Sequence, residues 1–540
     1  VKAEDLLTRQ AALEGQRYNF EALWQRVADL IFTGDAYFQR KRIEQGQRLD
    51  RLQFDSTGAL ALDRFAAAME SMITPRTQRW SQLVPAEKAL ADDIQVKRYL
   101  ESVNDTLFRY RYAAAAGFTT ATGESYRSLG AFGTQCTMVE DDLRRGGMIY
   151  RSRFLGEMWI DINAQGNVDT NHRKFEFTAK QAYEAFGDGP KGIYRKTCEK
   201  SPGAKMEFLH CVFPDKNYTP GPGRKPWLGL YVDKSLQVIV EEGGYFTNPY
   251  VTSRFTTSPQ EVYGRGPAIT VLNSLNTVNE QQKTILRAGQ MVTRPPLMAV
   301  DDDELRGFNM REGAINYGAL DAQGNQRVKP FQSGANLPVG MELIESERTV
   351  VNEAFYVNLF QILVDSPQMT ATEALLRAQE KGALLAPPMG RQQTEYMGPL
   401  IEREIDILAR QGRLPEPPPQ LLEAGGKLEI EYTAPVNRLQ KSEDGVAILR
   451  TLEALAPVAQ VDPTVYDPFN FTEMARTLAD VNGIPAKCLR TDEEIAEIKQ
   501  GQQDQQALGE VLAAAPVAGK VAADLAKAQA TASNQVAPVL

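Results

Sequence analysis

Apolar positions along the chain change their period several times. From Glu4 to about Gly130 they recur at helical spacing, with Leu23, Val27, Leu30 and Ile31 in one stripe and a further run from Ala91 to Phe118. A polar stretch, Gln45 to Gln53, separates the first helices from the block FDSTGALALDRFAAAMESMITPRTQRW (Phe54 to Trp80). Leu62, Phe65, Met69 and Met72 fall on one helical face of that block, and Pro75 ends it. Asp55, Ser56 and Thr57 stand where side-chain oxygens accept from the free N–H groups of a first turn. On these grounds alone the block is a well-capped amphipathic helix, an element that usually builds core. From Phe132 to Tyr263 the pattern shifts to short alternating runs, MIYRSRF, EMWIDIN and LQVIVEE, broken by Gly-Gly, Gln-Gly-Asn and Pro-Gly turns. This predicts a mixed region rich in antiparallel β-structure. FPDKNYTPGPGRK (Phe213 to Lys225), with three prolines, predicts an exposed loop.

Helical periodicity then returns. Gly266-Pro267 opens a helix to about Met291, with Ile269, Leu272, Leu275, Val278, Ile285 and Leu286 on one side. A second helix, Val339 to Val364, carries Met341, Ile344, Val351, Phe355, Leu359 and Ile362 in one row and Leu343, Val350, Ala354, Val357 and Val364 in another. Two apolar rows predict packing on two sides. At 26 residues each, both helices would be ~39 Å long. Between them, Val292 to Pro338 holds the strand-like pieces PPLMAV, REGAINY and QRVKPF and the acidic turn Asp301, Asp302, Asp303, Glu304. After a short loop, Asp365 to Met369, Thr370 and Glu373 have capping-box spacing and restart a helix that Pro387-Pro388 must break or kink. A helical piece from Arg391 to Gln411 follows, with Gly412 as C-cap and the linker LPEPPPQ beyond it. One strand, KLEIEYTAP, leads to helical stretches at Leu439 to Leu455, Phe471 to Asn482 and Asp492 to Gln500. Residues after Gly501 are rich in Ala and Gln and predict a lone helix or a tail. The fold class these patterns define is α+β.

At 540 residues the chain exceeds the size at which one core keeps growing, so several sub-domains are expected. No apolar stretch reaches the ~18 residues that span a bilayer, and VKAEDLLTRQAALEG lacks a basic-then-apolar signal, so synthesis in the cytosol and no membrane are expected. Cys136, Cys198, Cys211 and Cys488 are too scattered for a disulfide framework and read as buried thiols in a reducing compartment. A net charge of −9 weighs against a protein that grips DNA tightly, because phosphate affinity rests on Lys and Arg.

Enzymatic chemistry finds little support. The two histidines, His172 and His210, stand beside no nucleophile motif. Cys198, His210 and Cys211 are too few for a closed zinc site and lack paired spacing. The phosphate-cradling GxxxxGK[ST] is absent; GDGPKG at Gly187 reads as a turn and AGKVA at Ala518 as a small-residue helix, so an ATP-driven motor is not expected. The Asp301 to Glu304 carboxylates could hold a cation, but consecutive side chains diverge, and a solvated acidic turn is the better reading. Lys283, Arg287, Arg294, Lys329 and Arg348 flank the two long helices and read mainly as exposed or inter-subunit charges. No catalytic residue, cofactor or metal is expected.

The Phe54 block, the segment from Val262, the order helix, small β module, helix, and SPQMTATEALLR (Ser366 to Arg377) together resemble the head-to-tail connector, or portal, family of short-tailed bacteriophages, over roughly residues 20 to 500. The resemblance implies a portal-type protomer: wing at 1–265, stem helices at 266–291 and 339–364, β-rich clip at 292–338, channel loop at 365–371, wing return with a long kinked helix at 372–440, helical crown at 441–500, and a C-terminal helix or tail at 501–540. It further implies a homo-oligomeric ring of twelve subunits at a capsid vertex, assembled in the host cytoplasm, through which double-stranded DNA passes. Expected partners are the packaging ATPase (terminase), tail adaptor proteins, and capsid and scaffolding proteins. Asp365, Ser366, Pro367, Gln368 and Met369 would form the DNA channel loop, Asp301, Asp302, Asp303 and Glu304 a docking face of the clip, and Met341, Ile344, Val351, Phe355 and Leu359 a subunit interface. The rival readings are a carboxylate- or metal-dependent nuclease or packaging enzyme, and a non-portal virion adaptor.

Overall fold

The computed structural model describes residues 1–32, 37–39, 53–87, 90, 93–221, 223–298, 309, 311, 315–316, 319–320, 323–330, 337–357, 387–423, 425, 428–432, 445, 447–455, 457 and 468–482. The chain is α+β, as its periodicities predict. It divides into two compact units, one of Val1–Leu83, Ser102–Glu416 and Ile430–Gln440, the other of Val84–Glu101, Pro417–Glu429 and Lys441–Leu540.

The first unit is organised around two antiparallel sheets. One has three strands in the order β3-β2-β9: β2 is Thr134–Asp141, β3 Met148–Arg153 and β9 Tyr250–Arg254. The other is a five-stranded meander, β4 (Met158–Ile162), β5 (Val168–Thr178), β6 (Lys205–Pro214), β7 (Trp227–Asp233) and β8 (Val238–Tyr245), each strand paired with the next. Register sets the two faces of the meander. His172 lies opposite Cys211 and turns with it toward helix α1 (Ala3–Ile31), where Leu6 packs on Leu209, Cys211, Leu230 and Val232. Arg173 lies opposite His210, and this alternate face carries Phe175 and Phe208 onto Ala182 and Tyr194. Those two belong to helices α5 (Ala179–Phe186) and α6 (Ile193–Lys200), inserted between β5 and β6.

Helix α1 is fixed by a charge drawn inside. The buried Arg17 guanidinium donates to the carbonyls of Leu155 (3.0 Å) and Gly156 (3.1 Å) and lies 3.9 Å from the Trp159 ring. Buried loop carbonyls thus receive a charged donor. Further along, Trp24 meets Tyr263 edge-on at 5.1 Å while its indole donates to the Phe132 carbonyl at 3.1 Å.

Helix α2 (Thr57–Ile73) realises the amphipathic block. Leu62, Phe65 and Met69 are buried, as their spacing predicts, and Asp55 Oδ1 accepts from the Thr57 amide at 2.8 Å. The helix packs closely on α4 (Phe118–Phe132): a Cβ at Gly130 would stand 2.7 Å from Phe65 Cδ1 and 2.8 Å from Leu62 Cδ1. Just beyond α4, Gly133 takes φ +74°, and a Cβ there would meet the Gly266 nitrogen at 2.3 Å. Only glycine permits both that backbone geometry and that crossing.

The structure refines several boundaries. Ser81–Pro85 is a strand, β1, inside the stretch whose spacing predicts helix. The run from Ala91 to Phe118 splits into α3 (Ile94–Arg111) and α4, because Gly117 leaves helical geometry at φ +69°. The helix opened by Pro267 makes one turn, α7 (Pro267–Thr270), breaks at Val271, and resumes as α8 (Leu272–Thr293). Three successive β-branched residues, Ile269, Thr270 and Val271, disfavour continuous helix at that point. The small β module contributes one described pair, β10 (Leu297–Met298) against β11 (Lys329–Pro330). Helix α9 (Leu337–Ala354) ends where Tyr356 adopts φ +58°, a left-handed conformation that an aromatic residue rarely takes.

Helical residues 387–392 lead into a π-helical turn at Gln393–Met397 and then α10 (Gly398–Arg410). Pro399 cannot donate and its ring crowds the carbonyl of residue 395, so the wider turn absorbs the misfit and the Gly398 amide reaches Gln393 O. Gly412 follows at φ +62° and closes the helix, as expected of a C-cap. Strand β12 is Leu428–Tyr432. In the second unit, Val96, Leu100 and Leu421 are buried, the last on α11 (Pro419–Glu423). Asn470 caps α12 (Phe471–Asn482) by accepting from the Glu473 amide at 3.3 Å.

Candidate assembly site on the paired helices

The block Phe54 to Trp80 is where the two long helices meet the core. The Phe54 amide donates to Asn279 Oδ1 on α8 at 2.7 Å, and the Lys283 ammonium stands 5.5 Å from the Phe54 ring centroid. One residue on, Asp55 accepts from Arg348 of α9 at 2.5 and 3.2 Å. Burial alone would raise the Asp55 carboxyl, but the hydrogen bonds from Thr57 and Arg348 outweigh it and hold the group below the usual carboxylate range. At Gly58 a Cβ would stand 2.7 Å from Leu275 Cδ2, so the start of α2 presses directly on α8.

These contacts fix the direction of the pair. The first half of α8 and the second half of α9 both lie at the Phe54 block, while Gly340, early in α9, would place a Cβ 3.1 Å from Ile285 Cδ1, late in α8. The helices therefore run antiparallel. Their core ends are buried through Leu272, Leu275 and Val278 on α8 and Val351 and Phe355 near the end of α9. Phe355 meets Phe65 of α2 edge-on at 6.2 Å, and Phe65 meets Phe255 at 5.8 Å.

Among the five residues expected at a subunit interface, Ile344, Val351 and Phe355 are thus 3%, 0% and 0% exposed within the single chain. They face α8 and α2 of their own protomer. Met341 is 63% exposed, and Leu359 lies outside the described residues. The apolar surface that α9 leaves in water is a different row: Val339, Leu343 and Val350, with Met341 beside them. In the second half of α8, Leu286, Met291 and Val292 are exposed as well. The two-row pattern signals both faces; which row turns inward depends on where α2 docks, and periodicity carries no such information.

Other expected site residues are quickly placed. The acidic turn Asp301, Asp302, Asp303, Glu304 and the loop Asp365, Ser366, Pro367, Gln368, Met369 lie outside the described residues. Lys283 bridges to Glu280 at 3.1 Å, and Arg287, Arg294 and Lys329 are exposed. His210 and Cys211 turn to opposite faces of β6: His210 Nδ1 is 2.7 Å from the Tyr250 hydroxyl and its ring stacks on Tyr231 at 4.0 Å, while Cys211 sits in the α1 core. Burial pushes the Cys136 thiol up to about 11 and raises Cys211 as well.

An exposed apolar row of this kind marks an interaction surface. Comparison with known proteins names the class. The family described as bacteriophage head to tail connecting protein matches residues 3–489. The chain is 25% identical over 545 residues to the portal protein of Salmonella phage epsilon15, covering 98% of this chain and 96% of that one. It is 26% identical over 546 residues to the probable portal protein of Bordetella phage BPP-1, with coverages of 99% and 97%. A solved structure titled as the neck of an empty GTA particle is similar at TM-score 0.37 and 13% identity over 73% of this chain and 86% of that one. The chain belongs to the bacteriophage head-to-tail connecting protein family, and its role is that of a virion head-to-tail connector.

Proposed function

We propose that the chain is the protomer of a closed ring at one vertex of a phage head, with the exposed row Val339, Met341, Leu343 and Val350 packing against the next protomer. The observation that carries this reading is that row, on a helix whose opposite face is already spent on its own core. These apolar side chains are 43–63% exposed, and burying such a side chain contributes about 1.5–3 kcal/mol. In a head-to-tail connector a ring has a use: its axis is a conduit for the genome during packaging and ejection.

One rim would dock the packaging ATPase during filling and tail proteins afterwards, with Asp301 to Glu304 offering carboxylates to basic partners. The Asp365 to Met369 loop, between a stem helix and a capping box, would project into the channel and touch DNA. The ring would act by position and surface, without bond chemistry. A test deletes Ser366 to Gln368 and follows both ring yield by electron microscopy and DNA per particle. Normal rings with altered packaging or retention support the reading; lost rings make the loop a structural turn, and normal packaging removes it from function.

A further inference from the structure

The five-stranded sheet ends in a strand whose outer edge pairs with nothing among the described residues. β8 is the last strand in the order, eight residues long, and its backbone has no partner beyond β7 among the described residues. The opposite edge is treated differently, since the Ile160 amide of β4 is taken by the Tyr263 hydroxyl at 3.1 Å. Along β8, Val238, Glu241, Glu242 and Gly243 are exposed. Unpaired edges of this length are templates for another strand unless covered.

The end of β8 opens into a cleft of about 270 Å³ lined by Gly244, Tyr245, Phe246, Lys225, Arg403 and Arg410. Its cations are unequally satisfied. Arg410 is paired with Asp406 at 3.0 Å and Asp141 at 3.2 Å. Glu140, also in the lining, lies 3.7 Å from Arg153 and 3.9 Å from Arg151. Lys225 makes no ion pair among the described residues; its ammonium stands 6.0 Å from the Phe246 ring centroid. The Arg403 side chain is 3% exposed and donates through Nη1 to Asp406 at 3.1 Å and Thr247 Oγ1 at 3.2 Å and through Nε to the Val139 carbonyl at 3.3 Å. Its Nη2 has no hydrogen-bond partner among the described residues and is not fully buried, so this one donor of the guanidinium is still accessible.

We propose that the β8 edge and this cleft form one docking site for an extended segment of another virion protein. The segment adds to the sheet as a sixth strand, and an acidic side chain near its end seats between Lys225 and Arg403. Main-chain pairing supplies the affinity, and the cleft supplies register and choice. Glu241 and Glu242 select against acidic residues in the middle of the segment, so the acid is accepted at the cleft alone.

The test uses the full chain and capped peptides of about twelve residues, enough to cover β8, alternating Thr and Val with one Asp at either end. Binding is read by fluorescence anisotropy. One of the two peptides is expected to bind, and its Asp→Asn form about tenfold more weakly, the loss of one charge-assisted hydrogen bond. Lys225→Glu, an exposed change, should weaken the Asp peptide and spare the Asn form. Two further peptides carry N-methyl groups on odd or even residues. An added strand pairs through only one set of amides, so one of these loses binding and the other keeps it. Failure of both Asp peptides to bind, equal binding of both N-methyl forms, or indifference to Asp→Asn would overturn the proposal.

Discussion

The sheet-bearing core and the antiparallel pair α8 and α9 treat charge and apolar surface in opposite ways. In the core, several charges are drawn inside and paired there. Arg111 lies under Trp80 at 4.1 Å and meets Glu404 through two bonds, 2.9 and 2.5 Å, while the Tyr150 hydroxyl donates to the same carboxylate at 2.7 Å. Arg254 and Glu395, 4% and 11% exposed, pair at 2.7 Å. Along α8 and α9 almost the reverse holds: past the Asp55–Arg348 bridge the helices carry apolar rows, and one of them faces water. A buried ion pair specifies geometry more than it stabilises, so the core is a unit finished within one chain. In the proposed ring, the helices are finished by a neighbouring protomer.

The sharpest way to break this contrast is to charge the inner row. Phe355→Asp puts a carboxylate into a contact with no polar partner; the expected cost is at least about 5 kcal/mol and loss of the folded protomer itself, read as vanished near-ultraviolet dichroism. Retained folding with lost association would move Phe355 to the outer face. Next, Glu404→Ala strands the Arg111 guanidinium in the core and should destabilise by about 3–5 kcal/mol, seen as a lower denaturant midpoint. An unchanged midpoint would mean that water reaches the site.

The core should also be acid-sensitive in the range where free histidines titrate. Burial pushes His172 and His210 down to about 3, aided by the nearby Arg9 and Arg173 charges, so both are neutral when folded. Unfolded imidazoles titrate near 6.5, hence the unfolded chain binds more protons as pH falls from there toward 3. Stability is complete above about 6.5 and declines below it by about 1.4 kcal/mol per unit for each histidine. Unfolding free energies from denaturant titrations at pH 7.5 and 5 should differ by about 4 kcal/mol in favour of the higher pH, and a flat profile would contradict neutral burial. The smallest effect belongs to the junction. Asp55→Asn keeps the Thr57 cap but removes the charge facing Arg348, and a loss of about 1 kcal/mol is expected, less in high salt.

Much of this was legible in the residues, for reasons that also explain what was not. Leu62, Phe65 and Met69 share one face because a 3.6 period admits no other arrangement once Asp55 caps the helix. The meander is likewise announced by alternation and turn chemistry. Helices α5 and α6 interrupt that region unannounced, being eight residues each and thus too short to declare a period. Arg111 and Glu404 lie 293 residues apart, and nothing local marks either as buried. The paired helices sit between these cases. Their rows are plain in the sequence, but assigning Ile344, Val351 and Phe355 to the protomer and Leu343 and Val350 to the surface requires knowing where α2 lies.

The central claim, that the outer row is a subunit interface and the inner row is not, is tested most directly by sedimentation of the full chain beside a Met341→Asp, Leu343→Asp variant. Both positions are more than half exposed in the single chain, so the variant should keep the parent's circular dichroism and thermal midpoint. The account predicts that the parent sediments as a closed ring of many protomers and the variant as a folded monomer or small oligomer. A variant that forms the parent's ring, or a parent that stays monomeric across ordinary salt and protein concentrations, would contradict it.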